Sequence, residues 1–189
     1  LYDIFKFHIV FSLGDLSGLH ASTLAESYGY KYLHIDNLMA EERRMGGAYM
    51  SSIDNNLDFG TTVPSENMVA VLGNAMRDAY LLPPPGEGQG EDEAKDIQKR
   101  DRNSVIKFII DGFPRNQTNL QFFLDHLASK CIIDFVLYFD LLDMTSPAQK
   151  IHFENISPCL TSFDVMGKLR RVTTTISPAF TLSGIYLVH

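Results

Sequence analysis

The chain is built from apolar runs that alternate with segments of helical spacing. Phe7 to Leu13 is a nearly continuous apolar stretch closed by Gly14, the pattern of a central strand buried on both faces of a parallel sheet. A glycine- and serine-containing loop follows, then a helical stretch from Ser22 to Tyr28 that Gly29 ends as a left-handed cap would. Tyr30 to Ile35 reads as a second short strand, and Asp36 to Arg44 as a helix with Asp36 as its N-cap. Pro64 starts another helix, with Met68, Val71, Leu72, Ala75 and Met76 at helical intervals. Val105 to Ile110 is a second buried strand, which ends on Asp111 and breaks at Gly112 and Pro114. Leu120, Phe123, Leu124 and Leu127 mark an amphipathic helix, and Ile132 to Phe139 a further buried strand ending at Asp140. Strand and helix thus alternate from residue 7 to 140, which predicts an α/β fold with a mostly parallel sheet flanked by helices. Residues 141–189 read as a divergent tail in which Ser, Thr and Pro recur; Met144 to Ser162 receives no firm assignment.

Pro83 to Asn103 breaks the alternation. Three prolines, glycine-acid alternation and Glu91-Asp92-Glu93 leave no apolar face to pack, so the segment reads as a disordered acidic surface loop. The length of 189 residues suits a single domain, and 45% hydrophobic with 21% charged residues is ordinary for a globular protein. A formal net charge of -7 argues against a general nucleic-acid or lipid-surface binder, because phosphate surfaces demand basic patches. It leaves room for a small anionic ligand that needs only local cations. Cys131 and Cys159 form no close pair and no metal spacing, and read as reduced, buried thiols of an intracellular protein. None of the six histidines falls in a metal-ligand pattern, so no protein-held metal site is expected. Phe5 to Leu13 is too short to span a bilayer. The expected location is the cytoplasm, with the nucleus as a second compartment. The chain opens on Leu1 rather than methionine, as a fragment or an incomplete gene model would.

The chemistry concentrates where the second apolar run stops. Phe108-Ile109-Ile110-Asp111-Gly112-Phe113-Pro114-Arg115 delivers a guanidinium to the carboxyl edge of a buried strand, the edge on which open α/β sheets seat their ligands. Asp111-Gly112-Phe113-Pro114-Arg115 resembles the signature of the nucleoside monophosphate kinases, the adenylate kinase and UMP/CMP kinase family. Asn119, four residues after the arginine, resembles the UMP/CMP branch. The resemblance covers residues 5 to 140. It implies a P-loop nucleoside triphosphate hydrolase-like three-layer fold with a helical monophosphate-binding insert at 36–66. The implied activity, in pyrimidine nucleotide metabolism, is transfer of the ATP γ-phosphoryl group to UMP or CMP with Mg2+, by a monomer.

The resemblance also assigns roles residue by residue. Arg115 would be catalytic and would hold the phosphate of the monophosphate bidentately, Asp111 would order magnesium-bound water, and Asn119 would face a pyrimidine edge. Gly112, Phe113 and Pro114 complete that turn. Thr61, Thr62 and Val63 lie in the stretch that lines the nucleobase pocket, largely through backbone groups. Asp36-Asn37-Leu38-Met39 matches the family's Gly-Asp-Leu-Leu, with Ala40 where an arginine follows. Arg43 and Arg44, a turn further on, either reach the phosphate or form a solvated face. For the phosphate loop, alignment from the strand uses Gly14 and Gly18, places His20 at the lysine position and Ser22 at the magnesium-facing hydroxyl. Alignment from the helix places Ser17 at the lysine position instead. Neither supplies a lysine, and Asp15 adds negative charge. Lys168-Leu169-Arg170-Arg171 resembles the helix after the family's mobile lid, yet no arginine occurs between Arg115 and Arg170. The expected function is therefore kinase-like with activity impaired or lost. Its alternatives are a catalytically inactive nucleotide- or partner-binding protein, or an incomplete gene model of a UMP/CMP kinase.

Overall fold

The two apolar runs that dominate the sequence lie side by side. A computed structural model describes residues 7–14, 17–58, 61–81, 106–141 and 146–174. In it β1 (Phe7–Gly14) pairs in parallel with β3 (Lys107–Asp111), Ser12 standing opposite Asp111. Between them in sequence come α1 (Ser17–Tyr28), β2 (Lys31–His34), α2 (Ile35–Arg44), α3 (Met50–Asp58) and α4 (Ser65–Leu81). After β3 follow α5 (Gln117–His126), a single 3-10 turn, β4 (Cys131–Leu141), α6 (Pro147–Val165) and β5 (Leu169–Thr174). All strand pairs are parallel and the sheet order is β2-β3-β1-β4-β5. This is the helix-flanked parallel α/β architecture expected.

Each face of the sheet has its own core. One face carries Ile9, Phe11, Phe108, Ile110 and Val136 against α4, α5 and α6, through residues such as Leu72, Phe123 and Phe163. The other carries Val10, Ile109, Leu137, Phe139 and Val172 against Ala21 and Ala25 of α1. Residues alternate between the two clusters along every central strand, as two-sided burial requires. Among the described residues no helix is long and apolar enough to cross a membrane. Both cysteines are free thiols, Cys159 buried and Cys131 half-buried, and burial pushes the two up to about 11 and about 12 respectively.

Several sequence expectations are corrected. Helix α1 begins at Ser17 rather than Ser22, so most of the anticipated loop is helix. Asp36 is not an N-cap: His34 holds that position without a side-chain cap bond, and Asp36 sits in the first turn of α2. The stretch left without assignment holds most of α6, a 19-residue helix that runs on to Val165. Ser146 and Gln149 close a reciprocal capping box around Pro147, and Ile156, Cys159, Leu160 and Phe163 form its buried stripe despite Pro158 in its interior. Lys168-Leu169-Arg170-Arg171 does not enter a helix either; its last three residues open the edge strand β5. Pro83 to Asn103 lies outside the described residues.

Candidate functional site

At the carboxyl edge of the sheet three adjacent strands place polar side chains in one row. His34 of β2 stands opposite Asp111 of β3, which stands opposite Ser12 of β1. Asp111 and Ser12 are wholly buried. The Asp111 carboxylate accepts one hydrogen bond, from the Tyr32 hydroxyl to Oδ2 at 2.7 Å, and His34 Nε2 lies 3.7 Å from the same oxygen. Burial first, and then the bond to Asp111, raises the Tyr32 phenol far above its ordinary pKa. Asp111 Oδ1, Ser12 Oγ and His34 Nδ1 are buried without a hydrogen-bond partner, an uncommon concentration in one register row. Helix α1 comes down on this row through Gly18, where a Cβ would stand 3.3 Å from Asp111 Oδ2.

The turn after Asp111 is fixed from within. Gly112 takes φ +72°, open to glycine and strained for other residues, and reverses the chain off the strand. Phe113 and Pro114 are buried, and their peptide bond is cis. Arg115 then folds back: its Nε donates to the Gly112 carbonyl at 3.1 Å and its Nη2 to Asp36 Oδ1 at 2.5 Å. Asn119, only 2% exposed, accepts from the Arg115 backbone N–H at 3.1 Å and donates to Ser65 Oγ at 2.7 Å. In this structure the amide expected to face a pyrimidine edge links the turn to the start of α4. Asn116 caps α5 by accepting from the Asn119 N–H.

Other sequence candidates fall nearby. The 61–64 segment leads into Ser65; Thr61 and Thr62 are exposed, Val63 is half-buried, and Thr61 Oγ1 donates to Asn56 Oδ1 of α3. Arg43 is tied to Asp54 of α3, and Arg44 to Glu41 of its own helix, both as exposed ion pairs on a solvated face. Gly14 ends β1 at φ +107°, and a Cβ there would collide with the Phe139 carbonyl, so its glycine serves strand packing.

Of the phosphate-loop candidates Gly18 packs on Asp111, whereas His20 and the lid candidates Arg170 and Arg171 have their contacts elsewhere. Only residues 15 and 16 separate Gly14 from the first residue of α1. His20 and Ser22 therefore lie along the helix, His20 8% exposed and stacked on Phe139 at 5.1 Å between ring centroids. Ser17 is the residue that falls at the helix start. Arg170 donates to the carbonyls of Gly167 and Leu169, while Arg171 lies over the Tyr138 ring and 3.7 Å from Asp140. Arg170 thus engages the α6–β5 turn and Arg171 engages β4. Among the described residues no group of three His, Cys, Asp or Glu side chains stands close enough to hold a metal ion. Asp111 is buried under Gly18 with one oxygen already engaged. These residues do not fit a protein-held magnesium ion; magnesium entering here would travel on nucleotide phosphates.

No family model matches the chain. It is 29% identical over 195 residues to the UMP-CMP kinase of Gallus gallus, a match covering 89% of this chain and 90% of that protein. Against the UMP-CMP kinases of Danio rerio and Homo sapiens it is 32% identical over 139 and 136 residues, 71% and 70% of this chain. These likenesses, with the all-parallel sheet, support a relationship to the nucleoside monophosphate kinase family. It spans 61% and 60% of the Danio and human relatives' lengths. Within this kinase-like frame, sequence reasoning located Asp111, Arg115 and Asn119 but missed the pairing of Tyr32 and His34 with the first, Asp36 with the second and Ser65 with the third. Tyr32 and His34 carried a usable signal, two polar residues at alternate positions of a strand that runs to the sheet's ligand edge.

Proposed function

We propose that this protein takes UMP or CMP at the Arg115 turn, and that its ability to transfer the γ-phosphoryl group of ATP to that nucleotide is impaired or lost. The kinship with UMP-CMP kinases and the placement of Arg115 at the carboxyl edge of the sheet support the first half. The observation that carries the second is the β1–α1 connection. A cradle for the phosphates of ATP needs several inward backbone N–H groups and a lysine on the β- and γ-phosphates. Here the connection is residues 15 and 16 alone, and no lysine or arginine occurs from Phe7 to Tyr30.

Phosphoryl transfer relies on positioning and on cations around the moving group, not on a strong base. Each preorganised charge contact removed costs about 3 to 4 kcal/mol, or about 10² to 10³ in rate. Loss of both the loop lysine and the lid arginines leaves Arg115 as the one cation of the signature turn. Titration calorimetry with CMP, UMP and ATP, beside a coupled assay of ADP release, tests the reading. Expected are weak pyrimidine monophosphate binding, still weaker ATP binding, loss of the monophosphate signal in Arg115→Ala, and turnover near background. Robust turnover by the natural chain, or ATP binding tighter than CMP, overturns it.

A further inference from the structure

The Arg115 guanidinium is already in use. Its Nε bond to the Gly112 carbonyl sets the plane of the group, and its Nη2 donates to Asp36 Oδ1 at 2.5 Å. Asp36 stands in the first turn of α2, where the end of the helix favours negative charge. Its carboxylate is therefore held by the helix on one side and the guanidinium on the other, while the pair stays solvent-accessible at 61% and 39% side-chain exposure. The arginines of the neighbouring helices do not relieve the shortage. Arg43 faces Asp54, Arg44 faces Glu41 and Arg77 faces Asp78. A carboxylate offers a guanidinium the same pair of acceptor oxygens, and the same sign of charge, as a phosphate.

We infer that Asp36 is a resident competitor for the phosphate seat and sets the specificity of this site against dianionic phosphates. The inference rests on the reading that Arg115 marks where a nucleotide phosphate is received. A phosphate that pairs with Arg115 through Nη2 competes with the Asp36 carboxylate for that donor, and one that uses the remaining N–H groups still sits beside it, like charge against like. A nucleoside, which carries no such charge, is indifferent to both costs. Asp36 thus narrows the gap in affinity between a nucleoside monophosphate and its nucleoside, which an unshared arginine would widen. It is a specificity determinant and not a catalytic residue.

The test follows the Arg115 side-chain Nε–Hε resonance while inorganic phosphate, CMP and cytidine are titrated separately. The proteins are the natural chain, Asp36→Asn, Asp36→Ser and Asp36→Ser with Arg115→Gln, the last followed by calorimetry because it lacks the probe. Serine is included because asparagine keeps an oxygen that Nη2 can still use. The Asp36 side chain is exposed, and an unchanged backbone amide spectrum confirms the fold of each variant. About tenfold tighter binding of inorganic phosphate and of CMP is expected in Asp36→Ser, with cytidine unchanged and the gain abolished by Arg115→Gln. Equal phosphate affinity in the natural chain and Asp36→Ser overturns the inference, as does an equal gain for cytidine or no phosphate response in any variant. If phosphate tightens as expected while CMP binds no better than phosphate alone, the competitor role of Asp36 stands and the nucleotide reading fails.

Discussion

Asn119 separates a structural brace from a base reader, and one substitution decides between them. Its side chain is 2% exposed and makes two internal hydrogen bonds, from the Arg115 N–H at 3.1 Å and to Ser65 Oγ at 2.7 Å. In Asn119→Ala both are lost, each worth about 1 kcal/mol net, and the Arg115 N–H and Ser65 hydroxyl keep only such water as reaches them. The expected destabilisation is about 2 to 3 kcal/mol. Ser65→Ala, which removes one of the two bonds, should cost about 1 kcal/mol. For a protein of this length the larger change lowers the melting temperature by about 4 to 10 °C, and it moves the urea midpoint by about 1 M. Denaturation curves of the natural chain, Asn119→Ala, Ser65→Ala and the double variant give the coupling between the two sites. A coupling of about 1 kcal/mol is expected. The reasoning is refuted if Asn119→Ala unfolds within 0.5 kcal/mol of the natural chain while its CMP affinity drops tenfold. That pattern belongs to an amide spent on the ligand.

Two further outcomes follow from single contacts. Gly14→Ala should cost more than 2 kcal/mol, because φ of +107° and the Phe139 carbonyl both exclude a Cβ; a melting point within a degree or two of the natural chain contradicts this. The Cys131 thiol, pushed up to about 12 by burial, should react with iodoacetamide about 10³-fold more slowly at pH 8 than an unstructured thiol. A raised folded pKa means that this site's contribution to stability is full below the unfolded value near 9 and is lost as pH climbs towards 12. Titration of stability between pH 8 and 11 should therefore slope downward, less steeply in Cys131→Ala. An alkylation rate equal to that of the urea-unfolded chain refutes the burial argument.

The legible part of this fold was the part written in local pattern. Continuous apolar runs at Phe7–Leu13 and Ile132–Phe139 announced buried parallel strands, and Gly112 with Pro114 announced the turn that presents Arg115. Where local signals conflicted, the expectation went wrong. Gly18 looked like loop because glycine disfavours helix interiors, yet it is in α1 where the helix passes close over Asp111, a Cβ there standing 3.3 Å from Oδ2. Pro158 hid α6, although the 156, 159, 160, 163 stripe was present in the sequence. Asp36 looked like an N-cap because aspartate often is one. Its real partner lies 79 residues away, at a separation no local pattern encodes. The candidate site was half visible for the same reason: Asp111, Arg115 and Asn119 sit in one stretch, whereas Tyr32 and His34 reach Asp111, and Ser65 reaches Asn119, only through strand order and helix packing.

That strand order also governs how the chain comes off the ribosome. β1 and β2 emerge first, yet they are not neighbours; each pairs with β3, and β1 also with β4. No strand pair of the sheet can close until Asp111 has been made, 97 residues after Gly14. At typical synthesis rates that is on the order of 5 to 20 seconds during which the apolar β1 has no strand to pair with. The nascent chain must be shielded through this interval by its own early helices or by a chaperone, because pairing over such sequence distances is slow even once both strands exist.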